Sequence, residues 1–387
     1  MQGSTAPVPG APDRGDGGAS APVMLDEVDF QIVTALQSAP RADWRRVGQA
    51  VGVDATTAAR RWARLTEAGL AWISCYPGLI EGMVTVPAFI EVDCAPGMAH
   101  EAAARIAADP HVINVEHVTG HRDLLLTVLL SGQAPLSRYI ALRLGRLPEV
   151  VATRTQIATA VYAEGSRWRI DRLEGPVGEP FRPAQDRAGR GRGVIKRSDM
   201  ELVRLLGYDC RMPVTRLAER TGLSPTTVRR KLQRLDADRA LIYRCEVARF
   251  ASGWPVAVSY WGAVAPAEVA DVAARLAGLR EIRLCTSLSG PSNLLFTVWL
   301  RSYEQIQAFE ADLGRRFPTL EVNDSAVALW PMKLGCNVLD PDGRHLRAVP
   351  FEPWSDAGVE AAQQDLLARL REPPGQERGN GRAAVSR

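Results

Sequence analysis

Residues 214–235 read VTRLAERTGLSPTTVRRKLQRL, and 170 positions upstream residues 44–65 read WRRVGQAVGVDATTAARRWARL. In both stretches a short helical run ends on a glycine, Gly52 or Gly222, able to take the left-handed conformation that closes a helix. Asp54 or Ser224 then supplies a side-chain cap for the next helix, and Pro225 occupies a first-turn position where a missing N–H costs nothing. The helix that follows carries Ala58, Trp62 and Leu65, or Val228, Leu232 and Leu235, on one apolar stripe. Each pair is preceded by a further helix, marked by Val28, Ile32, Val33 and Leu36 and by Leu202, Val203 and Leu206. Two short helices meeting at a capped glycine corner predict a helix-turn-helix, and this chain holds two.

The face opposite the apolar stripe is cationic in both copies. Thr56, Thr57, Arg60, Arg61 and Arg64 lie there in the first, and Ser224, Thr226, Thr227, Arg229, Arg230, Lys231 and Arg234 in the second. A helix fits the major groove of duplex DNA, where arginine pairs with guanine edges or neutralises phosphate. These residues are the expected contacts with double-stranded DNA. The copies are not equal, because Asp54-Ala55 stands where the second has Ser224-Pro225. Asp54 brings a negative charge towards any phosphate at that helix end.

The repeat extends well beyond these helices. Between positions 29 and 70, 11 of 42 residues are identical to those 170 further on, without a gap, among them Asp29/Asp199, Arg41/Arg211 and Arg64/Arg234. The same offset pairs Gly120 with Gly290, Leu124-Leu125 with Leu294-Leu295 and Pro148 with Pro318. After each helical block a short strand (71–76, 241–247) leads into a β-α-β-β-α-β order. In the first copy its strands fall near 84–92, 112–118, 123–130 and 150–162, with helices carrying Met98, Ala102 and Ile106, then Leu136, Ile140 and Leu144. That order is the ferredoxin-like split βαβ motif. The expected fold class is therefore α+β: two tandem copies of a helix-turn-helix domain followed by a ferredoxin-like βαββαβ domain. The expected boundaries are a disordered tail at 1–23, domains at 24–76, 80–163, 194–247 and 254–335, a linker at 164–193 and a tail at 340–387. Residues 359–371 have the spacing of an amphipathic helix.

Composition narrows the function classes. A net charge of +3 excludes a general polycation, so a nucleic-acid surface has to be local. All but three of the 47 basic residues are arginine, the exceptions being Lys196, Lys231 and Lys333. The six cysteines form no CxxC pair and are expected as buried single thiols, not a disulfide framework or zinc ribbon. No apolar run is long enough for a transmembrane helix, so no membrane is expected as a partner. The first residues lack the basic start and apolar stretch of a signal peptide, and a cytoplasmic protein is expected.

The stretch Leu25-Asp26-Glu27-Val28-Asp29, with Arg41, Gly52-Val53-Asp54 and residues 60–65, resembles the helix-turn-helix of the Lrp/AsnC (leucine-responsive, feast/famine) transcriptional regulators. Residues 115–126, VEHVTGHRDLLL, resemble the hallmark hairpin of that family's effector domain. The resemblance covers about 24–163 and 194–335 and marks the chain as a duplicated form of a unit that usually occurs once. It implies a bacterial or archaeal sequence-specific DNA-binding regulator, with effector domains that pair through their sheets. It also implies an amino acid or related small metabolite sensed near the hairpin. Carried over residue by residue, the effector candidates are Thr119, Gly120 and Asp123, with Ser289, Gly290 and Asn293 at the same places in the second copy. Asn293 lacks the full charge of Asp123. A homo-oligomer is expected, as a pseudo-dimer formed within one chain that assembles further.

Two rivals stand beside this reading. Some haem-biosynthesis decarboxylases acting on siroheme share this architecture and use His and Arg in the effector-domain cleft; His117 and His121 are the histidines near the first hairpin, and the second hairpin has none. A metal sensor would draw on His111, His117 and His121, but an i,i+4 pair on a strand and turn need not converge. Neither an acid/base constellation nor a Gly-rich phosphate loop is present, so no catalytic residue, metal or cofactor is expected.

Overall fold

A computed structural model describes residues 25–170, 193–354 and 359–371; the expected N-terminal tail, most of the linker and the last residues of the C-terminal tail lie outside them. The first unit opens with α1 (Glu27–Ser38), α2 (Trp44–Val51) and α3 (Ala55–Glu67). Their ends follow from local chemistry. Asp26 and Asp29 form a reciprocal capping box at the start of α1, Asp43 caps α2, and Gly52 closes α2 at φ 74°. Asp54 caps α3 by accepting the Thr57 amide. The strand β1 (Ala71–Pro77) and a two-residue strand β2 (Leu79–Ile80) lead to the first βαββαβ domain. It comprises β3 (Val86–Cys94), α4 (Ala99–Ala107), β4 (Val112–Val118), β5 (Leu124–Leu130), α5 (Gln133–Arg138) with helical turns continuing to Arg146, and β6 (Val150–Ala163).

The second unit repeats the plan. After β7 (Val194–Ile195) come α6 (Met200–Tyr208), α7 (Val214–Thr221), α8 (Pro225–Ala237) and β8 (Leu241–Val247). Gly222 closes α7 at φ 69°, and Ser224 caps α8 with Pro225 in its first turn. Its βαββαβ domain is β9 (Val256–Ala263), α9 (Val269–Ala277), β10 (Ile282–Leu288), β11 (Leu294–Leu300), α10 (Gln305–Arg316) and β12 (Glu321–Leu334). Two short strands, β13 (Asn337–Leu339) and β14 (His345–Ala348), and a helix α11 (Glu360–Arg371) follow.

The units interlock about a pseudo-twofold axis. Strands β1 and β8 pair antiparallel, from Ala71 opposite Val247 to Pro77 opposite Leu241. Ser74 and Arg244, 170 residues apart, face each other and therefore sit on that axis. Arg41 donates to the carbonyl of Cys210, and its counterpart Arg211 donates to those of Pro40 and Ala42. Each helix-turn-helix thus grips the other through the same residue.

The two sheets close into a ring. Each has the ferredoxin-like order, β4-β5-β3-β6 and β10-β11-β9-β12. The last strand of each unit is 14 residues long and serves both sheets. β6 pairs with β3 through Ile157 and with β10 from Ala158 onward; β12 pairs with β9 through Val327 and with β4 from Ala328 onward. Each of these eight strands then has a neighbour on both sides, so the ring leaves open edges only at the strands outside it, such as the β1–β8 ribbon. Helices cover the outer faces, over Ile90, Ile106, Leu126 and Tyr139 in one sheet and Tyr260, Leu276, Phe296 and Leu313 in the other. The inner faces meet over Phe89, Leu125, Trp261, Leu295 and Trp299, and this core runs on into Ile32, Leu36 and Leu65 of the first helical domain.

Two expected boundaries shift. The start of the linker is packed structure: Trp168 and Ile170 are buried, the Trp168 indole donates to the carbonyl of Arg280, and the Ile170 amide donates to Gln37. The start of the C-terminal tail is a strap. β13 and β14 extend the sheet beyond β12, and the amide of His345 donates to Gly69 at the end of the first helical domain. Phe351 packs beside Tyr76 and Cys336, and Pro350 lies against Gly207 of α6. Both segments are short and rich in Gly, Pro and Arg, so no periodicity betrayed them; contacts with distant residues hold them. Five of the six cysteines are buried, Cys94 is partly so, and all are unpaired. Among the described residues no helix is long and apolar enough to cross a membrane.

Candidate nucleic-acid interface

The cationic faces of α3 and α8 divide into two sets. Arg60, Thr56, Arg229, Arg230, Thr226 and Ser224 are exposed and make no ion pair with a described acid, whereas Arg64 is exposed but paired. Arg61, Arg64, Lys231 and Arg234 are held by the buried carboxylates of Asp29 and Asp199, and Arg61 also by the exposed Asp26. Arg61 pairs with Asp26 at 2.7 Å and with Asp29 at 3.0 Å, and Arg64 pairs with Asp29 at 2.5 Å. In the second unit Lys231 pairs with Asp199 at 2.5 Å and Arg234 with the other oxygen of Asp199. Burial alone would raise the Asp199 carboxyl, but the hydrogen bonds and charges of Lys231 and Arg234 outweigh it and hold the group below the usual range. A shallow recess of about 130 Å³ opens between Arg60, Arg61 and Arg64. Thr57 and Thr227 are committed to their caps, their hydroxyls lying 2.7 Å from Asp54 and 2.9 Å from Ser224. Hydrogen bonds from the Thr57 hydroxyl and amide hold Asp54 below the ordinary carboxylate range, so the first recognition helix begins with a full negative charge. The second begins with a neutral serine.

The apolar and cationic stripes of α3 and α8 do not by themselves reveal these clamps, although the repeat carries their signal. Asp29/Asp199, Arg41/Arg211 and Arg64/Arg234 are all among the identities of the repeat. Periodicity assigns a face to a residue; it does not say which acid that residue reaches.

The hairpin candidates sit in the seams between the units. The Thr119 amide donates to the carbonyl of Val327 at 3.0 Å, and the Val327 amide donates to the Thr119 hydroxyl at 2.9 Å. Ser289 makes the same two bonds with Ile157, at 2.9 and 3.0 Å, so the offset of 170 holds for contacts as well as residues. Asp123 accepts the Cys94 amide at 2.7 Å, and Asn293 accepts the Val264 amide at 3.1 Å while donating to the Val264 carbonyl. Both side chains therefore brace the end of the neighbouring strand. Gly120 and Gly290 turn at φ 101° and 123°. Beside the first hairpin, Arg122 is buried between Glu91 and Asp324 with its guanidinium 4.1 Å from the Trp261 ring.

The histidines scatter into different settings. His111 is buried edge-on to Tyr139, not at the surface. His117 packs edge-on to His100, which in turn meets Trp330; burial and the His100 charge lower the His117 pKa. His121 is exposed on the hairpin turn. Among the described residues no three His, Cys, Asp or Glu side chains are grouped to hold a metal ion.

Comparison with known proteins matches both helical domains and the first βαββαβ domain. The AsnC-type helix-turn-helix domain matches residues 25–66 and again 197–236, and the Lrp/AsnC ligand binding domain matches 87–168. The HTH-type transcriptional regulator FL11 of Pyrococcus horikoshii is 28% identical over 145 residues, which is 37% of this chain and 94% of the relative. The HTH-type transcriptional regulator Ptr1 of Methanocaldococcus jannaschii is 23% identical over 150 residues, 38% of this chain and 100% of the relative. Both relatives are archaeal and about one unit long. Among solved structures, the siroheme decarboxylase NirDL superposes with a TM-score of 0.52 at 16% identity, over 90% of this chain and 100% of that one, a likeness of fold in the tandem arrangement. The chain thus carries two AsnC-type helix-turn-helix domains and an Lrp/AsnC ligand-binding domain on one polypeptide.

Proposed function

We propose that this protein is a sequence-specific transcriptional regulator that binds double-stranded DNA as a pseudo-dimer formed within one chain. The observation that carries this reading is the pair of capped, arginine-bearing helices α3 and α8, joined by the β1–β8 ribbon and the reciprocal grip of Arg41 and Arg211. Linking the modules raises the effective concentration of the second once the first is bound. Because α3 and α8 differ in sequence and in the charge of their caps, the half-sites they read differ too, giving an imperfect palindrome. Arg60, Arg229 and Arg230 are the arms free to read it. Replacing Arg230 with Ala weakens binding to a selected genomic site by ~1–3 kcal/mol if it reaches a base edge, and mainly flattens the salt dependence if it reaches phosphate. Fluorescence anisotropy on footprinted fragments measures this. Unaltered affinity and salt dependence in the Arg60→Ala, Arg230→Ala double variant would show that these helices are not the readers.

An amino acid or related small metabolite bound at the Thr119–Gly120 turn would act on the bonds from Thr119 to Val327. Such an effector shifts the packing of the two units only if it favours one packing over another. Asp123 tests this, because Asn does the same bracing in the second unit. Asp123→Asn keeps stability within ~0.5 kcal/mol, whereas Asp123→Ala leaves the Cys94 amide unpaired and costs ~1–3 kcal/mol. If Asp123 also takes a ligand ammonium, a thermal shift produced by an amino acid disappears in Asp123→Asn while the fold survives.

The rival enzyme reading rests on the full-length likeness of fold to the siroheme decarboxylase. His117 is occupied with His100, and the inner sheet faces are filled by Trp261, Leu295 and Trp299. Adding siroheme to the purified protein is expected to leave the visible spectrum that of the free tetrapyrrole; a shifted band with turnover would favour the enzyme.

A further inference from the structure

Asp29 and Asp199 have fully buried side chains, and both lie beneath a recognition helix. An ionised carboxylate taken out of water is costly unless cations and hydrogen bonds compensate it. Here the compensation comes from the DNA-facing helix itself: Arg61 and Arg64 on α3, Lys231 and Arg234 on α8. These cations therefore have a partner inside the protein before any phosphate arrives. Arg60, Arg229 and Arg230, on the same helices, are exposed; Arg64 is exposed as well, with 46% of its side chain accessible, but is tethered to Asp29. The units again differ, since Asp26 adds a second carboxylate to Arg61, and the residue at its place in the second unit is Lys196.

We infer that Asp29 and Asp199 are positioning residues that divide each cationic helix into withheld and free arms, keeping Arg61, Arg64, Lys231 and Arg234 back from the DNA backbone so that Arg60, Arg229 and Arg230 do the reading. The inference rests on the DNA-binding reading above. Withholding cations lowers sequence-independent affinity without removing the arms that discriminate, because phosphate contacts carry no sequence information. With two acids at the first clamp and one at the second, together with Asp54 against Ser224, the second unit is the stronger phosphate binder.

The test is the salt dependence of binding to a short mixed-sequence DNA duplex by the full chain. Each cation that displaces a counterion contributes ~0.9 to the slope of log affinity against log salt. Arg230→Gln is expected to flatten the native slope by about that ~0.9. Arg234→Gln flattens it by less than ~0.3 in the native chain but by ~0.9 when Asp199→Asn is also present. Asp199→Asn alone steepens the slope by more than ~1 as both arms come free, and lowers the preference for a selected site over the mixed duplex. A purely structural acid would change melting temperature without making the Arg234 effect depend on residue 199. A loss of ~0.9 from Arg234→Gln in the native chain would overturn the inference, as would an unchanged slope in folded Asp199→Asn. Should Asp199→Asn fail to fold, the native Arg234→Gln slope decides by itself. Failure of the native chain to bind any duplex at low salt is a different result, one that removes the DNA-binding reading and this inference with it.

Discussion

Replacing Glu246 with Ala is expected to destabilise the protein by roughly 3–5 kcal/mol, the cost of leaving buried charge uncompensated. Glu246 lies on β8 with 2% of its side chain exposed. It accepts from Arg244, its neighbour near the pseudo-twofold axis, and both its oxygens accept from Arg283 of β10, at 2.8 and 2.9 Å. Neither arginine has an easy route to water. The Arg283 guanidinium lies 3.9 Å from the Trp299 ring and 4.6 Å from that of Trp168, and burial pushes its pKa down to about 10. Arg244 is wedged against Gly165, where a Cβ would stand 2.5 Å from its guanidinium carbon. Burial alone would raise the Glu246 carboxyl, but the charges of Arg244 and Arg283 outweigh it and hold the group below the usual range. Its contribution is therefore present above the ordinary carboxylate pKa and is lost as pH falls through the lowered folded value. Urea unfolding at neutral pH measures the effect. Adding Arg283→Met to Glu246→Ala should recover part of the loss, because it removes one of the stranded charges. A loss below ~1 kcal/mol would mean that this network does not tie the ribbon to the ring of strands.

The second large effect is a loss of stability in mild acid through His345. This imidazole stacks on Trp72 with ring centroids 5.7 Å apart, its Nε2 is buried without a hydrogen-bond partner, and burial pushes its pKa down to about 4. The unfolded chain takes up the proton near the ordinary value of 6.5 and the folded chain does not. Stability is therefore highest above about 6.5 and declines as pH falls towards 4, by a ceiling of roughly 3 kcal/mol. His345→Phe keeps the stacking and removes the proton. Its unfolding midpoint should vary less with pH over this window than that of the native protein, and superimposable pH profiles would show that His345 is not the group responsible. Since the amide of His345 also bonds Gly69, acid should loosen the strap first where it meets the first helical domain.

Much of the architecture was legible because its causes are local or repeated. The glycine corners at Gly52 and Gly222 and the caps at Asp54 and Ser224 depend on backbone geometry within a few residues. The order β-α-β-β-α-β came from periodicities that each segment carries by itself. The division of the cationic helices did not emerge, because Arg64 reaches Asp29 across 35 residues of chain and no spacing rule links them. The strap and the packed start of the linker were missed for the same reason: Trp168 and His345 are placed by partners more than one hundred residues distant.

By itself, the sequence determined that this chain is a duplicated unit with two capped, arginine-bearing helix pairs, since helix ends, apolar stripes and a constant offset are properties of neighbouring residues. Only the tertiary structure decided that the two units close one ring of strands through β6 and β12, that the hairpin residues Thr119 and Ser289 stitch its seams, and that buried Asp29 and Asp199 hold Arg61, Arg64, Lys231 and Arg234 of the cationic faces. The physical reason is that a charge or a strand edge takes the partner the fold brings within reach. That choice is made by packing over distances no local pattern records.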